Sequence, residues 1–163
     1  MADEPRRIYW DACVFLSYIN GIPARLGPIE ELLNQARAGQ VELLTSSLSQ
    51  AEVAFADIEK AQGKLDPNVE QMIDDLWRPG SSPVKTVEFY DLIGLEARDL
   101  MRQGIAQGWG SLKSGDAMHL ATAKRMEVAE MHTYDDRIRK WDGHFAFPVQ
   151  EPTVAQLPLS SEG

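Results

Sequence analysis

Short runs rich in β-branched and aromatic residues alternate along this chain with longer segments of helical spacing, and that alternation limits the fold more than any other feature. The runs are Arg6 to Trp10, Val41 to Thr45, Val84 to Phe89 and Glu127 to Tyr134, with a weaker one near Phe145 to Val149. Their residue types and lengths suit strands. Strands separated by helices, and apolar on both faces, call for a parallel sheet with right-handed crossovers. Ligand sites in such sheets lie beyond the carboxyl ends of the strands.

The intervening segments read as helices. Ala12 to Ile19 is too densely apolar for a half-exposed strand, and Gly21 with Pro23 is expected to end it. Pro28 suits the opening of a second helix carrying Ile29, Leu32, Leu33 and Ala36, with Gly39 as its stop. Ser46, Ser47 or Ser49 can cap a helix that carries Ala51, Val53, Ala54, Phe55 and Ile58. Pro67 to Trp77 presents Val69, Met72, Ile73 and Leu76 on one face. A long helix from Leu92 to Gln107 is expected to turn Leu95, Leu100 and Ile105 inward. Ser114 can cap a helix from Gly115 to about Met126, and a helical turn is expected at Arg137 to Trp141.

With 163 residues and 44% hydrophobic content, the chain suits one domain over 1–150, followed by a loose tail over 151–163. No stretch approaches the roughly 20 apolar residues of a membrane span, and MADEPRR lacks an apolar signal core, so a soluble cytoplasmic protein without membrane contact is expected. The lone Cys13 has no disulfide partner and is expected to be a small buried hydrophobe. A net charge of -9 argues against a protein that coats nucleic acid through a broad basic face, without excluding a nuclease. Acid is concentrated between Val41 and Asp99. A phosphate-contacting surface would draw on Arg6, Arg7, Lys113, Lys124, Arg125, Arg137, Arg139 and Lys140.

Four acidic residues fall at strand ends or in first helical turns: Asp11 after the first strand, Glu52 after the second, Asp116 in SGDAMHLATA and Asp135 in MHTYDDR. Each has a bland reading. Asp11 can cap the helix beginning at Ala12, Asp116 can complement a helix dipole, Glu52 can be solvated, and Asp135 or Asp136 can cap the turn before Arg137. Together they are expected in one crevice, where carboxylates destabilise one another unless a proton or a hard cation neutralises them. His119, three residues beyond Asp116, reads more readily as a core or rim histidine than as part of the site.

The order and spacing of IYWDACVFLSYI, SSLSQAEV, GDAMHLATAKR and HTYDDR resemble those of a PIN domain, the small metal-dependent nuclease fold found in VapC-like toxins of bacterial toxin-antitoxin pairs. The resemblance spans roughly Ile8 to Val149. It implies a three-layer α/β/α fold around a central, mainly parallel sheet of four to five strands. It also implies an endoribonuclease using Mg2+ or Mn2+, with Asp11 and Asp116 as principal metal ligands, Asp135 as a further ligand and Glu52 acting on the attacking water. The T-x-D pattern of Thr133 to Asp135 favours Asp135 over Asp136. An antitoxin partner and a homodimer are implied too, through a groove around Phe55, Ile58, Met72, Leu76 and Trp77. Two other readings stay open. A haloacid-dehalogenase-like phosphatase would need a second Asp where Cys13 stands, and a non-catalytic PIN-like module would have no use for the full acidic set.

Overall fold

The computed structural model describes residues 4–154. Five strands, β1 (Arg6–Trp10), β2 (Val41–Ser46), β3 (Val84–Val87), β4 (Glu130–His132) and β5 (Val149–Gln150), form one sheet in the order β3-β2-β1-β4-β5. Every pairing is parallel, with Ile8 opposite both Leu43 and Glu130. The helices are α1 (Ala12–Ile19), α2 (Pro23–Arg37), α3 (Leu48–Glu52), α4 (Asp57–Gln62), α5 (Pro67–Trp77), α6 (Asp91–Gln107), α7 (Ser114–Arg125) and α8 (Asp136–Arg139).

Successive side chains of a strand point to opposite faces, and here both faces are buried. Ile8, Trp10 and Leu43 pack with α1, α2 and α5, whereas Tyr9, Leu44 and Met131 pack with α6 and α7. This gives the expected three layers. Because every strand is parallel, every carboxyl end opens on the same edge, and the sheet order reverses direction at the seam between β1 and β4.

A second link ties that seam together. Trp10 Nε1–H donates to His132 Nδ1 at 3.0 Å, so the ring proton sits on Nε2 and is donated to Glu130 Oε1, also at 3.0 Å. Arg6 completes the chain with a 2.7 Å pair to Glu130. Burial works against ionised Glu130, but the hydrogen bond from His132 and the Arg6 guanidinium outweigh it and hold the carboxyl below its usual range.

Several elements depart from the sequence reading. Pro23, expected to end α1, is the first residue of α2, where its missing N–H has no helical partner to lose. Pro28 then lies inside the second turn instead of opening the helix. The helix expected from Ser46 to Ile58 is two helices with an irregular step over 53–56. Buried Glu59 caps the second by accepting Ala56 N–H, and its other oxygen accepts Asp66 N–H. On α6 the inward stripe is Ile93, Ala97, Leu100 and Gly104, while Leu95 and Ile105 are 54% and 69% exposed. The small residues decide this. A Cβ on Gly104 would lie 2.5 Å from Gly110 O and 2.6 Å from the Trp141 ring, so α6 is packed as closely as glycine allows. The third, fourth and fifth strands are shorter than expected, and Ser114 is the first residue of α7, not its cap. Of the tail, 155–163 lie outside the described residues.

Two substitutions test these contacts. Gly104→Ala should lower unfolding free energy by about 1–3 kcal/mol through overpacking, despite alanine's better helix propensity. Glu130→Gln should cost about 1–2 kcal/mol near neutrality. A carboxyl held low in the folded state stabilises above its unfolded value and loses that contribution as pH falls, so the difference from wild type in urea unfolding should shrink below about pH 4.

Candidate functional site

Asp11 leaves the end of β1 and occupies the N-cap of α1. Its carboxylate is buried and held from two sides. Oδ1 accepts the Cys13 thiol at 2.8 Å, and Oδ2 accepts the Thr133 hydroxyl at 2.6 Å. Thr133 Oγ1 in turn accepts Asp135 N–H at 3.0 Å, so one hydroxyl couples the end of β1 to the loop after β4. Cys13 is therefore more than the expected apolar filler. Its sulfur also accepts Tyr134 N–H at 3.2 Å, and burial followed by the Asp11 charge pushes the thiol far above its usual range. Such a thiol is a hydrogen-bond donor and a poor nucleophile.

Asp116 stands in the first turn of α7. Asp135 occupies the N-cap of α8, where it accepts Arg137 N–H at 2.9 Å and pairs with the Arg137 guanidinium. Its neighbour Asp136 turns outward, 80% exposed, and pairs with Arg139. Glu52 closes α3, and its Oε1 lies 2.5 Å from His119 Nε2 on α7. Its Oε2 is 3.7 Å from where a Cβ on Gly115 would stand, which puts the carboxylate against the start of α7.

The charges act on one another. Asp116 titrates above the usual carboxylate range, first from burial and then from Asp135; Arg137 and His119 oppose the shift, and Glu52 adds to it. Asp11 is raised as well, by burial, against the lowering effects of His119 and of the hydrogen bonds from Cys13, Thr133 and, to a lesser degree, the Val14 amide. Glu52, Asp116 and Asp135 thus share one electrostatic field, and Thr133 ties Asp11 to the backbone of Asp135. Among the described residues, no three His, Cys, Asp or Glu side chains stand close enough to hold an ion jointly. A closed cage of the zinc type is therefore absent from these residues. The oxygen donors and surplus negative charge suit a hard dication held by one or two carboxylates with water filling the remaining positions.

Sequence reasoning passed over three contributors. His119 is buried as expected of a core histidine, but it also binds Glu52; its spacing of three from Asp116 was the available signal, since residues three apart share a helix face. Tyr9, whose hydroxyl lies 2.7 Å from His119 Nδ1, and Cys13, whose sulfur accepts Tyr134 N–H, carried no signal, because those contacts are made across the fold. Four of the eight expected phosphate contacts are engaged elsewhere. Arg6 and Arg7 lie at the opposite end of β1, paired with Glu130 and Glu42, and Lys124 and Arg125 close the far end of α7 against Glu96. Arg137 stays beside Asp135, and Lys113 immediately precedes α7.

The family model of the PIN domain matches residues 8–143. Among solved structures, the fold is similar to VapBC2 from Rickettsia felis bound to a promoter DNA fragment, at 14% identity and a TM-score of 0.61 over 89% of this chain and 97% of that one. It is also similar to VapC20 from Mycobacterium tuberculosis, a sarcin-ricin loop cleaving toxin, at 13% identity and a TM-score of 0.58 over 80% and 92% of the two chains. A toxin-antitoxin complex from Klebsiella pneumoniae is similar at 16% identity and a TM-score of 0.56, over 91% and 99%. No sequence of curated function matches. At these identities the structures speak to the fold, and the family model, covering most of the chain, makes this protein a member of the PIN domain family.

Proposed function

We propose that this protein is a Mg2+- or Mn2+-dependent endoribonuclease, the toxin of a bacterial type II toxin-antitoxin pair, acting in the cytoplasm. The observation that carries the reading is the mutual charge of Glu52, Asp116 and Asp135 at the edge where Asp11 leaves β1. Asp11 and Asp116 serve as the principal ligands, with Asp135 a further one through water. The ion, when bound, supplies acidified water and stabilises charge on the phosphoryl group. The protein's own groups do the rest. Glu52 orients the attacking water and takes its proton, the water oxygen bonds to phosphorus, and the 3′-oxygen departs to leave a 5′-phosphate. Thr133 and Cys13 fix the Asp11 carboxylate, and Arg137 with Lys113 offers positive charge to the flanking phosphates.

The partner reading has separate support. Phe55 and Ile58 are 48% and 50% exposed, and a cavity of about 210 Å³ lies between α4 and α5, lined by Phe55, Leu65 and Ile73 beside Glu59, Glu70 and Asp74. Apolar lining rimmed by acid suits an amphipathic antitoxin segment bearing Arg or Lys. Met72, Leu76 and Trp77, expected in this groove, pack instead against the α1 and α2 core. The described helices include none long and apolar enough to cross a membrane. A homodimer is part of the proposal.

RNA cleavage should require the dication and stop on chelation. Asp11→Asn and Asp116→Asn should each lower turnover by roughly 100-fold or more, since groups one step removed from a metal already contribute about 10- to 100-fold. Stability should move the opposite way. A carboxyl raised in the folded state loses stability as pH climbs above the unfolded value, so Asp116→Asn should raise Tm of the metal-free protein near neutrality. Screening of this half-exposed group limits the gain to about 1 kcal/mol, or roughly 2–4 °C, and the gain should vanish toward pH 4.

A further inference from the structure

The hydrogen bonds behind Glu52 form a chain whose direction can be read. His119 is 2% exposed and both ring nitrogens are engaged, Nδ1 at 2.7 Å from the Tyr9 hydroxyl and Nε2 at 2.5 Å from Glu52 Oε1. Ser46 N–H, which can only donate, points to the Tyr9 oxygen at 3.1 Å. The hydroxyls of Thr45 and Thr122 also lie beside Tyr9, but each gives its proton to a backbone carbonyl, those of Trp10 and Met118. Tyr9 therefore accepts from Ser46 and donates to Nδ1, which leaves the ring proton on Nε2 for the Glu52 carboxylate.

This chain supplies what Glu52 lacks locally. Helix α3 is five residues long, the backbone beyond it is irregular over 53–56, and the Glu52 side chain is 38% exposed. A flexible carboxylate at the end of so short a helix has several rotamers open to it, and fixing one costs conformational entropy. Tyr9 comes from the central strand, Ser46 from the end of β2 and His119 from α7, so the anchor draws on three elements of the rigid body. Buried networks of this kind hold their members in one geometry when every donor and acceptor is matched.

We infer that Tyr9 and His119 are positioning residues, which pass the order of the sheet through one hydrogen-bond chain to the Glu52 carboxylate and hold it aimed at the water it activates. The inference rests on the nuclease reading of the site, and neither residue touches the substrate. It predicts that His119 acts on turnover only through Glu52.

Two measurements decide it. In metal-free, 15N-labelled wild type, the His119 ring shifts should report a proton on Nε2 alone, and Tyr9→Phe and Glu52→Gln should each move them. In RNA cleavage, His119→Ala should lower kcat by roughly 10- to 100-fold, the range for groups that orient a reacting side chain, with KM nearly unchanged. His119→Gln, whose amide nitrogen reaches the Nε2 position, should recover part of the loss. Adding His119→Ala to Glu52→Ala should lower kcat no further. If His119→Ala does not fold, Tyr9→Phe carries the same test, with a smaller loss that disappears in the Glu52→Ala background. A ring protonated on Nδ1, shifts indifferent to Glu52→Gln, or kcat losses that multiply in the double variant would overturn the inference. Should wild type cut no RNA, the nuclease reading falls by itself, and the ring shifts still decide whether the chain exists.

Discussion

Parallel pairing of β1 with both β2 and β4 is the constraint on which the site depends. It brings Asp11, the start of α3 and the loop after β4 to one edge, although these segments lie far apart in sequence. The chain order reverses beside β1, and a crevice at that reversal is where open α/β sheets bind ligands. The same pairing buries both faces of β1, so Ile8 and Trp10 are committed to one helical layer and Tyr9 to the other. A shift of register by one residue would exchange those layers and remove Asp11 from the seam.

Polar links at the seam give it more than apolar packing could. Thr133 couples Asp11 to the Asp135 backbone, Trp10 reaches His132, and Tyr9 reaches His119. Each crosses between elements distant in sequence and each satisfies a buried group that would otherwise be costly. Around them the fold accepts a local penalty. Asp11 and Asp116 are both held in surroundings that disfavour their charge, and groups kept in that condition are commonly those with a chemical task.

The parallel sheet with helical crossovers was legible in the sequence because strand and helix periodicities are local, and the resemblance to PIN domains added the three layers and a sheet of four to five strands. Asp11, Asp116 and Asp135 were legible for the same reason, as a strand end, a first turn and a cap, whereas Glu52, expected in the first turns of a longer helix, closes the short α3. What the sequence concealed depends on packing across the fold. The outward faces of Leu95 and Ile105 follow from the close approach of Gly104 to Trp141, and no periodicity weighs a missing side chain. Pro23 read as the end of the first helix and Pro28 as the start of the second, whereas in the fold Pro23 opens the second helix and Pro28 lies inside it. The roles of Cys13 and Thr133 appear only once β1 and β4 lie side by side, and that of Tyr9 only once α7 and β2 pack against it.

The disfavoured charge of Asp11 and Asp116 is the ground of the proposed preference for a hard dication at this edge. Titration of the metal-free protein with Mn2+, followed by calorimetry, tests it most directly. Saturable binding to wild type that is lost in folded Asp11→Asn is the result expected; no saturable binding, or equal binding to both proteins, would contradict the account.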